Sequence, residues 1–292
     1  MGRIMHNEVK GIGMRFLVCG MTLACLTGPA LAACPDVSLM QNAARGWIAG
    51  QRLPDPVVLN MQDADCAYAT FRSVLEAELG PAVGVKVAFT SRSAQESYGI
   101  ESPIAGALFA PMLLPDGARL SLKGSRNPFY EVDLAVTVGD SSIMQARTRE
   151  DVAAALKDIR PFIEVPDLAL QKTVVPTAAL MAAYGVTPWR GVLGRGIPIA
   201  DLDDPVADLA ALTVDLRVDG RSVDAGDGGM LMEHPLDVVL WLVQRGGYEL
   251  KPGSVISLGA LGSAHPATPG HRLRAEYRIG GRSMQVGVTL VP

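Results

Sequence analysis

The 292-residue sequence has few charged residues, few cysteines and no blocks of Lys or Arg. Charged side chains make up 19% of the chain and hydrophobic ones 49%, which is too apolar and too weakly charged for an intrinsically disordered protein. The formal net charge of −4 argues against a basic nucleic-acid-binding protein. Four cysteines are too few for a disulfide-dense mini-protein. What is left is an acidic globular chain without internal repeats.

The N-terminus carries part of the apolarity. Lys10 and Arg15 precede an apolar run over residues 16–26, and an Ala-Leu-Ala sequence follows at 30–32. This order is typical of a secretory signal peptide. The run is shorter than the ~20 residues that a membrane-spanning helix needs, so no transmembrane span is expected in the mature protein. We predict that residues 1–32 are a signal peptide and that the protein is periplasmic or secreted.

Two cysteines, Cys34 and Cys66, remain after removal of this leader. In an oxidising compartment they are candidates for one disulfide. The segment 31–34 also resembles a bacterial lipobox, in which Cys34 would carry a lipid anchor and Cys66 would stay a free thiol. The sequence leaves both forms of processing open.

The mature chain is more acidic than the full sequence. The leader contains Arg3, Lys10, Arg15 and Glu8, so its removal takes away three positive charges and one negative charge and changes the net charge from −4 to −6. A chain of this charge does not favour nucleic acid or an anionic membrane surface as a partner.

Two amphipathic helices are predicted near the start of the mature chain. Apolar residues recur with helical spacing over 37–50 and over 63–79. Asp63 is the expected N-cap of the second helix, and Gly80 marks its end. These helices define a predicted N-terminal helical segment, residues 33–82.

Short alternating strands dominate the rest of the sequence. Residues 130–138 alternate like a strand, and Asp219-Gly220 is a strong signal for a two-residue hairpin turn. Regular alternation of strands with helices is missing, so a doubly wound parallel sheet is not expected. We predict an α+β fold in which residues 83–292 form one main domain.

Three carboxylates interrupt apolar strands. Glu131 and Asp133 are two residues apart in one predicted strand, so their side chains point to the same face. Glu164 lies in a second apolar strand. Buried carboxylates need a cation or several hydrogen-bond donors, and an oxygen-only set favours Mg²⁺, Mn²⁺ or Ca²⁺ over Zn²⁺. The alternative is a solvated sheet face in which Glu164 pairs with Arg160 or Arg126.

Lys86 interrupts another apolar strand, in the sequence Gly-Val-Lys-Val-Ala. A buried lysine can neutralise a carboxylate cluster or act as an acid–base group. The same pattern is equally compatible with an exposed lysine on an alternating strand.

Five short segments carry a resemblance to a known family. They are Gly84-Val85-Lys86-Val87-Ala88-Phe89-Thr90-Ser91, Gly99-Ile100-Glu101-Ser102-Pro103, Glu131-Val132-Asp133, Pro161-Phe162-Ile163-Glu164-Val165-Pro166-Asp167 and Lys251-Pro252-Gly253. Taken in order, they resemble the 2-keto-4-pentenoate hydratase branch of the fumarylacetoacetate hydrolase (FAH) superfamily. The resemblance extends over about residues 37–290.

This resemblance implies a fold and a cofactor. The expected architecture is a fumarylacetoacetase C-terminal-like mixed β-sheet roll with an N-terminal helical layer. Glu131, Asp133 and Glu164 would hold Mg²⁺ or Mn²⁺, and Lys86 would be the catalytic acid–base or charge-stabilising group. Family members commonly assemble, so a homo-oligomer is compatible with the resemblance.

The resemblance also implies an activity. A hydratase of this kind adds water to a short 2-oxo or 2-hydroxydienoic acid, and related decarboxylases lose CO₂ from similar substrates. Three single positions depart from the family pattern, because Ile104 replaces an expected aspartate and Leu258 and Ala260 replace hydroxyl-bearing residues. One segment departs as well, since Thr187-Pro188-Trp189-Arg190 replaces an Asp-Asn-Ala-Ser-like stretch. These departures leave a second reading open, a non-catalytic periplasmic protein that binds a 2-oxo acid or a metal. A structural module with neither ligand is a third.

Overall fold

The computed structural model describes residues 34–58 and 60–292, so the predicted leader, residues 1–32, lies outside the described residues. The helices are α1 Val37–Ile48, α2 Met61–Leu79, α3 Arg92–Tyr98, α4 Arg149–Ala155, α5 Ala178–Ala183, α6 Pro205–Ala210 and α7 Pro235–Arg245. The strands are β1 Ala82–Ala88, β2 Ile104–Phe109, β3 Leu113–Pro115, β4 Ala118–Ser121, β5 Phe129–Val138, β6 Leu156–Val165, β7 Arg190–Leu193, β8 Ile197–Pro198, β9 Thr213–Val218, β10 Arg221–Asp227, β11 Val255–Ala260, β12 His265–Pro266, β13 Arg272–Ile279 and β14 Arg282–Val291.

The larger of two sheets carries the candidate site residues. Its main path runs β2-β1-β11-β5-β6-β7-β3, with β12 beside β5 and β8 beside β6. Strands β1 and β11 are parallel, whereas β11, β5 and β6 are antiparallel to one another in turn. One face of β5 packs through Val132, Leu134 and Val136, which are fully buried. Four adjacent strands, β1, β11, β5 and β6, therefore form the rigid centre on which the site is built.

The smaller sheet is ordered β10-β9-β13-β14-β4, and its strands β13 and β14 contact β6 of the larger sheet. Tyr277 on β13 is buried between them, and its hydroxyl donates hydrogen bonds to the backbone oxygens of Asp133 and Phe162. Both sheets mix parallel and antiparallel pairs. The predicted α+β class is confirmed.

The N-terminal helices begin and end at identifiable residues. Helix α2 begins at Met61, because Asn60 has an extended backbone and its side chain accepts a hydrogen bond from the Asp63 backbone N–H at 2.9 Å. The expectation that Asp63 is the N-cap was therefore wrong. Asp63 lies in the first turn instead, where a carboxylate favours the N-terminal end of the helix dipole. Gly80, with φ of 88°, ends the helix as expected.

These helices form a layer beside the larger sheet. Cys34, just before α1, and Cys66 on α2 are joined by a disulfide, with their Cα atoms 5.6 Å apart. The hydroxyl of Tyr68 on α2 accepts a hydrogen bond of 2.6 Å from the Ala107 backbone N–H in β2. Strand β1 starts at Ala82, directly after this layer. In the described part of the chain, no helix has the length and apolarity needed to cross a membrane.

The predicted hairpin is confirmed. Asp219 and Gly220 have φ angles of 51° and 82°, and the flanking residues Val218 and Arg221 pair across the two strands. Positive φ at both central residues is the requirement that gives Asp-Gly its hairpin preference.

Candidate metal centre and active-site cavity

Three carboxylates converge at the centre of the larger sheet. Glu131 and Asp133 lie two residues apart on β5, and Glu164 on β6 is the direct cross-strand partner of Glu131. One carboxylate oxygen from each residue lies within 4.8 Å of the other two. Asp133 and Glu164 are buried and Glu131 is half-buried. Strand pleating places Glu131 and Asp133 on one face, and the register between β5 and β6 adds Glu164 to it.

The alternative of a solvated face is wrong. Arg160 does not pair with Glu164, because its guanidinium donates to the backbone oxygen of Gly194 at 2.9 and 3.0 Å. Arg126 is not the partner either, since its Nη1 lies 3.0 Å from an Asp167 carboxylate oxygen.

Lys86 supplies the cation that faces the carboxylates. Its Nζ lies 2.5 Å from Oε1 of Glu164, and the residue is only 4% exposed. The alternative of an exposed lysine on an alternating strand is therefore wrong. Four consecutive residues of β1, 84–87, are buried, so both faces of the strand are covered at this point.

Ser257 on β11 holds one of the carboxylates, and sequence reasoning missed it. Its hydroxyl donates a 2.6 Å hydrogen bond to Oδ2 of Asp133. The residue is level with Lys86 on one side and Ala135 on the other, so it bridges β1 and β5. The sequence contained one indication of this role, because Ser257 is the single hydroxyl-bearing residue in the otherwise apolar strand β11.

The residues fit a divalent cation. Two buried oxygens, Oδ1 of Asp133 and Oε2 of Glu164, have no hydrogen-bond partner among the described residues. Three carboxylates and one ammonium also leave a formal excess of two negative charges. An all-oxygen donor set is the one that Mg²⁺ and Mn²⁺ prefer. A divalent ion would therefore satisfy both the orphaned oxygens and the charge.

Burial and mutual repulsion shift the acid–base behaviour of this cluster. Burial, opposed by the nearby Lys86 ammonium, raises the pKa of Glu164 to about 7. Burial and the neighbouring Glu164 and Glu131 carboxylates raise the pKa of Asp133 well above its usual range. Burial alone would lower the pKa of Lys86, but the carboxylates of Glu164, Glu131 and Asp133 outweigh that effect and raise it. The cluster thus holds protons near neutral pH when no metal ion is present.

A cavity of about 350 Å³ opens onto this cluster. Its polar lining comes from the site residues and from hydroxyl side chains, and its remaining walls are mostly apolar. The lining includes Lys86, Phe89, Thr90, Ser91, Tyr98, Phe129, Glu131, Glu164, Leu168, Met181, Thr187 and Ala260. An apolar enclosure with one charged end suits a small organic anion with a hydrocarbon tail.

The three single-position departures from the family pattern lie in different places. Ala260 lines the cavity, whereas Ile104 and Leu258 are buried and are not among the described lining residues. Hydroxyl groups come instead from Thr90 and Thr187, which the sequence did not identify as cavity residues. Thr90 packs closely against Gly259. That residue has a φ of 104°, and a Cβ at this position would lie only 2.4 Å from the Thr90 Oγ1, so the contact requires glycine.

Thr187 is held in an uncommon backbone conformation. It and Val186 have φ angles of 49° and 62°, a region that β-branched residues rarely occupy. Both residues line the cavity. Strained backbone of this kind is concentrated at functional sites, where the surrounding structure holds it.

A carboxylate triad beside a buried lysine, set in paired mixed sheets, defines the class of protein. Residues 78–287 match the family described as fumarylacetoacetate (FAA) hydrolase C-terminal, and the chain belongs to this family. The predicted membership of its 2-keto-4-pentenoate hydratase branch and the predicted FAH-like fold are confirmed.

Relatives of this chain include proteins named as hydratases and one named as a decarboxylase. The chain is 29% identical over 220 residues to 2-keto-4-pentenoate hydratase 2 of Dechloromonas aromatica, covering 73% of this chain and 82% of the relative. It is 30% identical over 198 residues to 2-hydroxyhexa-2,4-dienoate hydratase of Comamonas testosteroni, covering 65% and 72%. A solved structure of 4-oxalocrotonate decarboxylase from Pseudomonas putida G7, complexed with magnesium and adipate, matches with a TM-score of 0.75 at 23% identity, covering 87% of this chain and 97% of that one.

Proposed function

We propose that this protein is a divalent-metal-dependent hydratase that acts on a short 2-oxo or 2-hydroxydienoic acid. The observation that carries the proposal is the convergence of Glu131, Asp133 and Glu164 within 4.8 Å, with Lys86 against Glu164 in the same cavity. The hydratase relatives support the reaction type. The magnesium in the decarboxylase structure supports the class of metal ion.

Glu131, Asp133 and Glu164 would hold Mg²⁺ or Mn²⁺. When bound, the ion would supply Lewis-acid stabilisation for negative charge that develops on the oxygen atoms of a 2-oxo acid. The Ser257 hydroxyl fixes the orientation of the Asp133 carboxylate through its 2.6 Å hydrogen bond. A carboxylate that already has the right orientation before the metal ion binds loses less conformational freedom on binding.

The protein's own proton carrier is Lys86, because Glu164 must be ionised to hold the metal ion. Nζ of Lys86 lies 2.5 Å from Oε1 of Glu164, and both residues line the cavity, so the ammonium is held where it can donate a proton to a substrate. Because Ile104 cannot transfer a proton, acid–base chemistry is assigned to Lys86. The apolar walls around Phe89 and Met181 limit water to the polar end of the cavity, where addition to the double bond would occur.

The test is hydration of 2-hydroxypenta-2,4-dienoate, followed by loss of the diene's absorbance with Mg²⁺ or Mn²⁺ added. Wild type is expected to show turnover that a chelator abolishes, and Glu131→Ala is expected to lose it. A Glu101→Gln variant, which changes an exposed carboxylate, is the matched control. Equal background rates for wild type and Glu131→Ala would refute the proposal.

A decarboxylase is the second candidate, because the fold matches the 4-oxalocrotonate decarboxylase structure across 97% of that chain. The two reactions are separated by supplying 4-oxalocrotonate and measuring CO₂ release beside the hydration assay. Release of CO₂ without hydration would favour the decarboxylase. Binding of metal or 2-oxo acid by calorimetry, with neither reaction, would favour the non-catalytic alternative.

We also propose that the protein is exported and remains unlipidated. The leader sequence supports export, and the Cys34–Cys66 disulfide supports an oxidising compartment. A lipidated Cys34 would carry its lipid on a thioether sulfur, which could not take part in this disulfide.

A further inference from the structure

A second cavity, of about 450 Å³, lies away from the carboxylate cluster. It is bounded by the C-terminal end of α1, the end of α2, the loop that precedes β5 and the start of β7. The described lining residues are Trp47, Ile48, Ala49, Gly50, Leu79, Pro111, Met112, Lys123, Gly124, Arg126, Trp189 and Arg190. None of them lines the candidate active-site cavity, so the two spaces can be tested separately.

The charged groups of this second cavity are all positive. Lys123, Arg126 and Arg190 line it, and no acidic side chain does so among the residues that the structure describes. The charge of Arg126 is balanced by Asp167, 3.0 Å away. Neither Lys123 nor Arg190 forms an ion pair within the described parts of the chain. The guanidinium of Arg190 lies over the Trp189 ring instead, 5.0 Å from its centroid.

Arg126 is not itself available to a ligand in this cavity. Its side chain is only 7% exposed, its Nη1 lies 3.0 Å from an Asp167 carboxylate oxygen, and its Nη2 donates a 2.5 Å hydrogen bond to the Trp47 backbone oxygen. The positive charge that the cavity offers to a ligand therefore comes from Lys123 and Arg190.

The remaining walls are apolar and aromatic. Trp47 and Trp189 are buried to more than nine-tenths, and Ile48, Leu79 and Met112 complete the surface. Such walls accept a ring or a short hydrocarbon chain, whereas the cations Lys123 and Arg190 accept an anion. The combination differs from an ordinary basic surface patch, which offers charge without an apolar enclosure.

We propose that this second cavity is a binding site for an organic monoanion, a carboxylate attached to an aromatic body. The carboxylate would lie between Lys123 and Arg190. The aromatic body would pack against Trp47 and Trp189. This site is distinct from the metal centre and does not depend on its occupancy.

Tryptophan fluorescence tests the proposal directly, because two of the three tryptophans in the sequence, Trp47 and Trp189, line the cavity. The probe is 4-phenylbutyrate, added to the metal-free protein in a chelator so that carboxylate binding at the metal centre is suppressed. The neutral analogue 4-phenylbutanol measures the contribution of the charge. We expect a saturable change with the acid, and an affinity for the alcohol lower by about tenfold or more.

Variants locate the binding. Lys123→Gln and Arg190→Gln are each expected to weaken 4-phenylbutyrate binding about fivefold. Arg278→Gln, an exposed arginine on β13, and Glu131→Gln at the metal centre are expected to leave it unchanged. Lys123 is exposed, so its replacement keeps the test valid even if Arg190→Gln fails to fold.

Three outcomes would overturn the proposal. The first is the absence of a saturable change up to about 10 mM probe. The second is equal affinity for the acid and the alcohol, and the third is 4-phenylbutyrate binding that Lys123→Gln leaves unaltered.

Discussion

Glu131 and Glu164 lie directly opposite each other on adjacent antiparallel strands, with their carboxylates on the same face of the larger sheet. Like charges in this cross-strand arrangement destabilise a sheet. Lys86 compensates one of them through its contact with Glu164. Asp133 adds a third carboxylate to the same face, so the metal-free cluster remains short of positive charge. This deficit makes a cation an expected part of the working site.

The first prediction concerns Glu131→Gln. In the metal-free protein this change removes a repelling charge and leaves the Lys86–Glu164 pair intact, so unfolding is expected to require about 0.5–1 kcal/mol more free energy. Wild type should be stabilised by about 2.7 kcal/mol when Mg²⁺ or Mn²⁺ is present at 100 times its Kd, and the variant should lose most of this stabilisation. Thermal unfolding with and without metal measures both effects. A variant with the wild-type metal response would contradict the assignment of Glu131 as a ligand, and Glu101→Gln serves as the control.

The second prediction concerns Lys86→Met, which keeps the length of the side chain and removes the ammonium. Turnover is expected to fall about 10²-fold or more, because the site loses its proton donor. Metal binding should persist, since the three carboxylates remain and a competing cation is gone. Steady-state kinetics and metal titration by calorimetry separate the two effects. Lys251→Met, at an exposed lysine, is the matched control, and undiminished turnover in Lys86→Met would rule out the assigned role.

The third prediction is a pH dependence with opposite signs for stability and metal affinity. Burial raises the pKa of Glu164 to about 7, above its value in an unfolded chain, so the metal-free folded state binds more protons than the unfolded state at mildly acidic pH. The contribution of this group to stability is therefore complete below the unfolded pKa and is lost as pH rises through about 7. Metal binding needs the ionised carboxylate, so metal affinity should rise over the same range.

Metal titration and chemical unfolding between about pH 5 and about pH 8 measure both quantities. Glu164→Gln is the comparison, because it removes the titrating group while other carboxylates keep their own pH dependence. A wild-type metal affinity that does not change with pH would contradict the prediction.

The charged residues of the candidate site could be predicted from the sequence, because charged side chains are rare in apolar strands. A carboxylate in a strand of apolar residues is conspicuous, and period-two spacing fixes that Glu131 and Asp133 share a face. What the sequence could not supply is strand order. Lys86 on β1 contacts Glu164 on β6 across the two intervening strands, β11 and β5, and this strand order is set by long-range pairing.

Contacts between distant segments explain the residues that were missed. Ser257 is informative only once its register with Lys86 places it beside Asp133. Thr187 reaches the cavity through an uncommon backbone conformation that no composition pattern indicates. The wrong prediction of Asp63 as N-cap has a local cause. Asn60 and Asp63 are both residue types that cap helices well, and the backbone conformation of the preceding loop decides which of them begins the helix.

The last prediction concerns the processing of the N-terminus and the bond between Cys34 and Cys66. If residues 1–32 are removed by signal peptidase, the intact mass of the protein isolated from its native compartment should be that of the mature chain less two hydrogen atoms, without a lipid. Closing a loop over a separation of 32 residues stabilises a protein by about 3–4 kcal/mol, so Cys66→Ser should unfold correspondingly more easily. Reduction of wild type should have the same effect and should leave Cys66→Ser unchanged, which distinguishes loss of the bond from damage at the mutated position. A diacylglycerol-sized mass on Cys34 would instead mean a lipid-anchored protein, and Cys66 would then be a free thiol with no stabilising role.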